Sequence, residues 1–552
     1  MNRLLVRLFF QDFFRLSFLD DAGEESFRRV IIGLLGGFIA IGLWLPRMYM
    51  AKYAAVAQGS PETYRAILVA DQLVMIGLPM FIVAFAVALV CHSLFPDETD
   101  YRILMVLPVD RFAIFSAKVA ALFFFAAIFI VTTNVAMGVP FSALSGGAMA
   151  THHWPVRAVI QVVAGVAGSI FAVAAVVAVQ GMVVVLTPRA WLRSVSVATQ
   201  TALVCVLVLL LPAVLRLPSL APQLHARSVA LCFAPPVWFV GLQEVLLGNR
   251  EPYFVRLAGL AALALSAVFA VAAACYVVVY RRFDRVILRN QSKGDRGVGR
   301  SRPTWLRRLQ PETQAVYGFT VTTLRRSGLH QLVFLGIAAA GLALVLNSVF
   351  GAGLSNARRQ AVLWSPFVLI FAAALGLRLS LLLPLNRRAA WVFRLTEDEE
   401  RRVHQFPVVE LVVIGHAVVA PMVTLLPFQL AVLGVRDTLL CVPITFVMGL
   451  LLVEIILTKW HRIAFTCSYL PGKRPVTHEV LILITAFVVF TWTGMGLSRW
   501  TIARGYPPPI LLVVLVAISI AFRWVRLQRA GNTPLEFEDE LPESSYGLKL
   551  NS

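Results

Sequence analysis

Long apolar runs separated by short polar breaks set the rhythm of this chain. A membrane-crossing helix needs on the order of 20 predominantly apolar residues, and about 12 runs reach that length. They lie near 30–47, 67–92, 117–139, 158–187, 195–215, 254–280, 330–350, 361–385, 408–432, 438–458, 479–498 and 508–524. Backbone groups in hydrocarbon must be satisfied within their own segment, so runs of this length predict an all-α polytopic membrane protein. The longest hydrophilic stretch, 281–328, leaves six runs on each side. Each half has a polar hairpin between its second and third runs, at 93–117 and 386–407, and a basic connection between its fourth and fifth, at 187–194 and 459–478. The layout predicts two six-helix repeats, 30–280 and 329–524, joined by a basic linker at 281–328. One difference is plain: the outer loop 217–253 is long, and its counterpart 499–507 is short.

Composition agrees. Of 552 residues, 59% are hydrophobic and only 14% are charged, whereas a soluble domain carries about 25% charged residues. Mean hydropathy is +0.80. The formal net charge of +20 suits cytoplasmic loops beside anionic lipid. No RNA-binding motif is present, so the expected partner is the lipid bilayer and not nucleic acid. The linker concentrates the charge, with Arg281, Arg282, Arg285, Arg289, Lys293, Arg296, Arg300, Arg302, Arg307, Arg308, Arg325 and Arg326 against Asp284, Asp295 and Glu312. By the positive-inside rule this loop is cytoplasmic, both termini share its side, and the chain is integral to the cytoplasmic (inner) membrane. Outer loops are not free of arginine: Arg227, Arg358, Arg359 and Arg436 fall there.

The segment 1–29 reads as an amphipathic helix and not as a signal peptide. Arg3, Arg7, Gln11 and Arg15 recur every four residues, while Leu5, Leu8, Phe9, Phe13 and Leu16 cover another face. That pattern predicts a helix lying in the cytoplasmic membrane interface. At the other end, 525–552 reads as an acidic cytoplasmic tail, either disordered or paired with the basic linker.

Chemistry-bearing motifs are missing. There is no GxxxxGK[ST], no HExxH and no GxSxG, so no catalytic residue and no ATP site is expected in the chain itself. The six cysteines include no CxxC pair, and the adjacent His152 and His153, like His461, Cys467 and His478, match no metal-ligand spacing. Ionisable groups within the runs are few. Arg378 and Glu454 lie near inner ends, where snorkelling is open to them, while His416 and Asn134 are deeper polar groups. No carboxylate stands out near the midplane, which disfavours an ion-coupled carrier.

The polar hairpin "SLFPDETDYRILMVLPVDRFAIFSAK" (93–118) has more structure than a connector needs. Asp97 caps a short helix whose first turn holds Glu98 and Asp100. Tyr101, Leu104 and Met105 share a face, Pro108 ends the helix, and Asp110 caps the next one as it enters the membrane. The exposed face suits either a partner's groove or the lipid headgroups. The run "LMVLPVDRFAIFSAK" (104–118) resembles the Leu-Pro-Val-x-Arg-x-x-Ile-x-x-x-Lys run of the type-2 ABC transporter permease family, through Leu107, Pro108, Val109, Arg111, Ile114 and Lys118. The resemblance implies that this hairpin is the coupling helix that docks on a separate ATPase subunit, with Asp97, Glu98, Asp100, Tyr101, Arg102, Leu104, Met105, Pro108, Arg111 and Lys118 as its contact and hinge residues. The chain would then be a permease subunit of an exporter, ATP and magnesium would sit on the partner ATPase, and the transported substrate is not named by any residue. The family also has an interfacial helix before its first span, six spans per unit, and short outer helices before the sixth. Residues 233–248 suit the last, with Trp238 and Phe239 expected, like Arg3, Arg7 and Arg15, at the membrane interface.

The second half departs from the pattern. "FRLTEDEERRVHQFPVVELVVIGH" (393–416) keeps an acidic cluster and a capping box, Thr396 with Glu399, and Phe406-Pro407-Val408 stands where Leu107-Pro108-Val109 stood. Glu410 replaces Arg111, and no lysine matches Lys118. The resemblance implies a fused double-length permease whose second half has diverged, with Thr396, Glu397, Glu399, Arg401 and Arg402 on a second coupling hairpin. The alternatives are a 12-span carrier of the major facilitator type, whose Gly-x-x-x-Asp-Arg loop is missing here, and a membrane-embedded enzyme or scaffold.

Overall fold

The computed structural model describes residues 5–10, 49–56, 60–90, 110–145, 152–188, 192–287, 311–351, 355–383, 406–458, 460, 463–465, 476–507 and 509–532. No strand occurs among them, and eleven of their helices are long and apolar enough to cross a membrane. These eleven coincide with the apolar runs from 67–92 onward; the run at 30–47 lies outside the described residues. The chain divides into two compact units, Met1–Val298 and Gly299–Ser552, so the division falls within the basic stretch.

The first unit contains α1 (Pro61–Leu89), α2 (Arg111–Leu144), α3 (Trp154–Leu186), α4 (Leu192–Leu215), α5 (Pro235–Leu246) and α6 (Pro252–Ile287). α1 starts cleanly: the Ser60 hydroxyl accepts from the Thr63 amide at 3.2 Å, and Pro61 occupies the first helical position, where no amide is missed. α3 is the hub, packed against α1, α2, α5 and α6. Between α4 and α6 the long loop folds into short helices at Leu217–Leu220, Ala221–His225 and Val229–Phe233, followed by α5.

The second unit contains α7 (Pro311–Arg326), α8 (Gly328–Gly351) and α9 (Ser355–Leu382). α10 follows, running from Phe406–Val413 through a π-helical turn at Ile414–Val419 into Ala420–Leu433. α11 (Val435–Leu457), α12 (Val476–Arg504) and α13 (Pro509–Asn532) complete it. α9 is the centre, with 78% of its apolar window buried against 17% for α13. α7 departs from the sequence expectation. Its residues belong to the stretch read as linker, yet Tyr317, Phe319, Val321 and Leu324 pack on the core of the unit, and Thr320 and Thr323 are buried. Arg325 and Arg326 end the helix where its dipole favours cations. The junction to α8 is fastened by His330, whose Nε2 donates to the Leu383 carbonyl at 3.1 Å while Nδ1 accepts from Ser327, and whose ring meets Phe465 edge-on.

Helices in lipid gain little from hydrophobic burial against one another, so close backbone approach carries their association. α8 and α9 illustrate it. A Cβ at Gly376 would stand 2.9 Å from the Phe334 carbonyl oxygen, and one at Gly341 would stand 2.5 Å from the Ala372 Cβ. Neither neighbour is a flexible side-chain tip. Gly376→Val should therefore lower the thermal unfolding midpoint of the detergent-solubilised chain, by a loss of about 1–3 kcal/mol. Gly336→Ala on the same helix pair meets open space and should leave the midpoint unchanged or raise it.

Candidate functional site

Of the first hairpin, Asp97, Glu98, Asp100, Tyr101, Arg102, Leu104, Met105 and Pro108 lie outside the described residues, as do Arg3, Arg15, Thr396, Glu397, Glu399, Arg401 and Arg402. What is described is the root of the hairpin. Asp110 occupies the N-cap position of α2 in extended conformation, and its side chain makes no capping bond, in contrast to the expected cap. Its carbonyl accepts the Ile114 amide at 3.2 Å. One turn further, Lys118 is buried, with its ammonium 5.0 Å from the centroid of the Phe9 ring. Such a cation over an aromatic face is held electrostatically, and more strongly where water is excluded. Leu5 and Phe9 are buried and Arg7 is exposed, so the helix at 5–10 is amphipathic. Leu8, assigned to the same apolar face, is instead 51% exposed, because it stands about 100° round the helix from each of Phe9 and Arg7.

The other side of the root rests on α6. Phe115 meets the rings of Tyr276 and Tyr280 edge-on at 5.7 and 5.0 Å, and the Tyr276 hydroxyl donates to the Phe115 carbonyl at 3.3 Å. The start of α2 is thus gripped by the N-terminal helix through Lys118 and by α6 through Phe115.

Trp238 and Phe239, expected at the membrane interface, lie on α5. Phe239 is fully buried, packed on Phe171 of α3, and the Trp238 indole donates to the Cys232 carbonyl at 2.7 Å. α5 folds into the bundle and does not float on its rim. Gln243 of the same helix donates to the buried Gln161 of α3 at 2.7 Å. Next to it, burial pushes the Glu244 carboxyl up from the ordinary carboxylate range, opposed by the Asn249 amide and the charge of Arg65. Deeper in the unit, the Asn134 amide donates to the Ile130 carbonyl at 2.8 Å and to Ser169 at 2.9 Å, which accounts for that in-span polar group structurally.

In the second unit the start of α10 carries charge. Glu410, one turn into α10, accepts from Arg526 Nη2 at 2.6 Å, and Arg526 Nε donates to Glu454 of α11 at 3.0 Å. Arg523 closes the group with a 3.2 Å contact to Glu410. The side chains of Arg526, Glu410 and Glu454 are 2%, 8% and 6% exposed, so the snorkelling open to Glu454 does not occur. Two carboxylates against two guanidinium groups leave the cluster neutral, the condition for burying ions at all. Arg526 belongs to α13, which continues to Asn532 and so takes up residues assigned to the tail. Arg378 is half-buried on α9. His416 lies in the π-helical turn of α10, where its Nδ1 donates to the Val412 carbonyl at 2.9 Å; such turns recur at functional positions in helices. Among the described residues no three His, Cys, Asp or Glu side chains are placed to share a metal ion.

Sequence reasoning missed the Glu410–Arg526–Glu454 cluster. The signal was present: two glutamates and two arginines within about two turns of the same ends of three spans, too far apart in sequence to be seen as a group. Arg526→Met should strand the buried Glu454 carboxylate, leave Glu410 with Arg523 alone, and cost about 3–5 kcal/mol. The expected readout is a fall in monodisperse protein and in its unfolding midpoint. The triple variant Glu410→Gln, Glu454→Gln, Arg526→Met removes all three charges together and should recover most of that loss.

Comparison of the chain with protein-family models, with curated proteins and with solved structures finds no match, so a reading of function rests on the residues and contacts above.

Proposed function

We propose that this chain is the membrane-spanning permease subunit of an ABC-type exporter, driven by separate ATPase subunits that dock on its cytoplasmic hairpins. The observation that carries the reading is the hairpin at 93–118 together with its root. A hairpin that merely joins two spans needs no stiff base. Here the helix that leaves it is clamped by Phe9 over Lys118 and by Tyr276 and Tyr280 on Phe115. A force applied to the acidic segment would pass at once to α2, α6 and the N-terminal helix. Lys118 is also a residue of the motif that resembles the permease family, which gives it a physical role at that position.

Three further features support the reading. Short helices precede the sixth predicted span of the first unit. An amphipathic helix, α7, precedes the first span of the second unit, as the N-terminal helix precedes that of the first. In each unit the most buried of the described spans are the second and the fourth of the six predicted there: α1 and α3, and α9 and α11. Transport in this reading is alternating access within the helical units. ATP and magnesium act on the partner subunit, and this chain performs no covalent chemistry. A carrier of the major facilitator type would draw on a carboxylate free to change protonation; Asp71, Glu410 and Glu454 are each held by a cation.

Affinity purification of the tagged full chain from its own membranes in mild detergent should bring down an ATP-hydrolysing subunit. Tyr101→Asp with Leu104→Asp should lower the co-eluting ATPase by about tenfold or more, the loss typical of two apolar anchors at an interface core, at unchanged membrane content. Undiminished ATPase with the variant, or none with the unaltered chain, would overturn the proposal.

A further inference from the structure

The chain buries two arginines among its described residues, Arg157 and Arg526, and treats them differently. Arg526 is held by two carboxylates. Arg157, in the first turn of α3, is 9% exposed and makes no ion pair among the described residues. Its hydrogen-bond partner among them is the hydroxyl of Ser145, to which Nη2 donates, while its Nη1 is buried without a hydrogen-bond partner there. A buried guanidinium without a counter-ion is among the costliest arrangements a fold can hold. The start of α3 worsens it, because the helix dipole presents its positive end there.

The surroundings complete the picture. Tyr64 of α1 donates its hydroxyl to the Ser145 carbonyl, beside the guanidinium. Beyond it lies an apolar cluster of Tyr49, Tyr53, Tyr64, Met75, Met137 and Phe141, with ring centroids 5.5–6.3 Å apart. The nearby Asp71 does not serve Arg157. It accepts from Lys52 at 2.6 and 2.7 Å and from Tyr53 at 2.9 Å, and its charge is spent on Lys52. Among the described residues the cluster therefore carries one positive charge in excess. It lies one turn below the exposed residues His153, Trp154 and Pro155 at one end of α3, a level at which the head of an amphiphile meets its apolar body.

We infer that Arg157, with Ser145 and Tyr64, is a binding site for the oxyanion head group, phosphate or carboxylate, of an amphiphile whose apolar part meets the exposed Trp154 and Val156 in the same turn of α3. The guanidinium supplies two parallel donors that match an oxyanion's geometry, and the anion supplies the charge that the protein lacks there. The inference concerns binding by this chain alone; its test uses no ATPase and does not depend on the transport reading.

The full chain, purified in neutral detergent, is titrated with dihexanoyl phosphatidic acid, with inorganic phosphate and with zwitterionic dihexanoyl phosphatidylcholine, and its thermal unfolding is followed. Phosphatidic acid should raise the midpoint, as any ligand of the native state does, and phosphatidylcholine should not. Arg157→Gln should weaken the response to phosphatidic acid by about tenfold or more. Without ligand, Arg157→Gln should unfold no lower than the unaltered chain, since it removes an uncompensated charge. Arg157→Lys keeps the charge without the paired donors and should bind with intermediate strength, which tests the site if the glutamine variant fails to fold. An equal response to inorganic phosphate retains the oxyanion site and overturns its assignment to an amphiphile. No response in the unaltered chain, an undiminished response in Arg157→Gln, or a lower ligand-free midpoint for that variant would overturn the site itself.

Discussion

A peptide group carried into hydrocarbon has no water to bond, so each must find its partner within its own helix. The architecture follows from that constraint. It dictates helices of 21 to 33 residues for the eleven apolar spans described, and it leaves side chains as the only polar groups free to specify anything. In the first unit they are used sparingly and mostly in pairs across helices: Asn134 with Ser169, Gln161 with Gln243, Gln180 with Ser196. Each pair joins two helices that small residues alone would leave free to slide, because an unmade hydrogen bond in this setting costs more than a made one contributes.

The starts of α2 and α10 are secured in different ways. In the first unit the grip is aromatic, with Phe9, Phe115, Tyr276 and Tyr280 arranged around the start of α2 and Lys118 set into it. Aromatic contacts of this kind tolerate small rotations with little loss. In the second unit the grip is ionic. Glu410 is tied through Arg526 to both α11 and α13, and a buried, charge-assisted network has a narrow geometry outside which its members are left unpaired. The first root tolerates small rotations, and the second holds its three helices as one block. Glu410 is thus part of a different mechanical element from the aromatic root of α2.

Much of this was legible in the order of residues. Span positions follow from apolar length, which is a local property. The amphipathic pattern at 5–10 and the helix within 233–248 are local as well. What escaped was either non-local or hidden by a boundary. α7 was masked because its arginines, counted with those of 281–310, marked the whole stretch as a loop, while Tyr317, Val321 and Leu324 form an apolar stripe at three- and four-residue spacing. Arg526 was assigned to the tail because the apolar run ends at 524; a long guanidinium extends a helix's membrane-facing reach by a turn when acids wait on its neighbours. Nothing local shows that the Trp238 indole is bonded to a carbonyl six residues back. Asp71 drew no attention because one acid near the end of an apolar run looks like a loop residue, and Lys52 and Tyr53, its partners, lie in a different polar break.

The same contrast between local and non-local information bears on charge. Counting residues gives the first unit's cluster a lysine, an arginine and an aspartate, with no sign of which cation goes unpaired. Geometry decides it: the aspartate receives two lysine contacts and a tyrosine hydroxyl, and has no capacity directed at Arg157. A fold that neutralises Arg526 with two glutamates has the means to neutralise an arginine. Leaving Arg157 with a serine hydroxyl therefore sacrifices stability at a point where the bundle is otherwise well packed. Departures of this kind concentrate where a protein meets something that is not itself, and the sign of the missing charge says what kind of group that is.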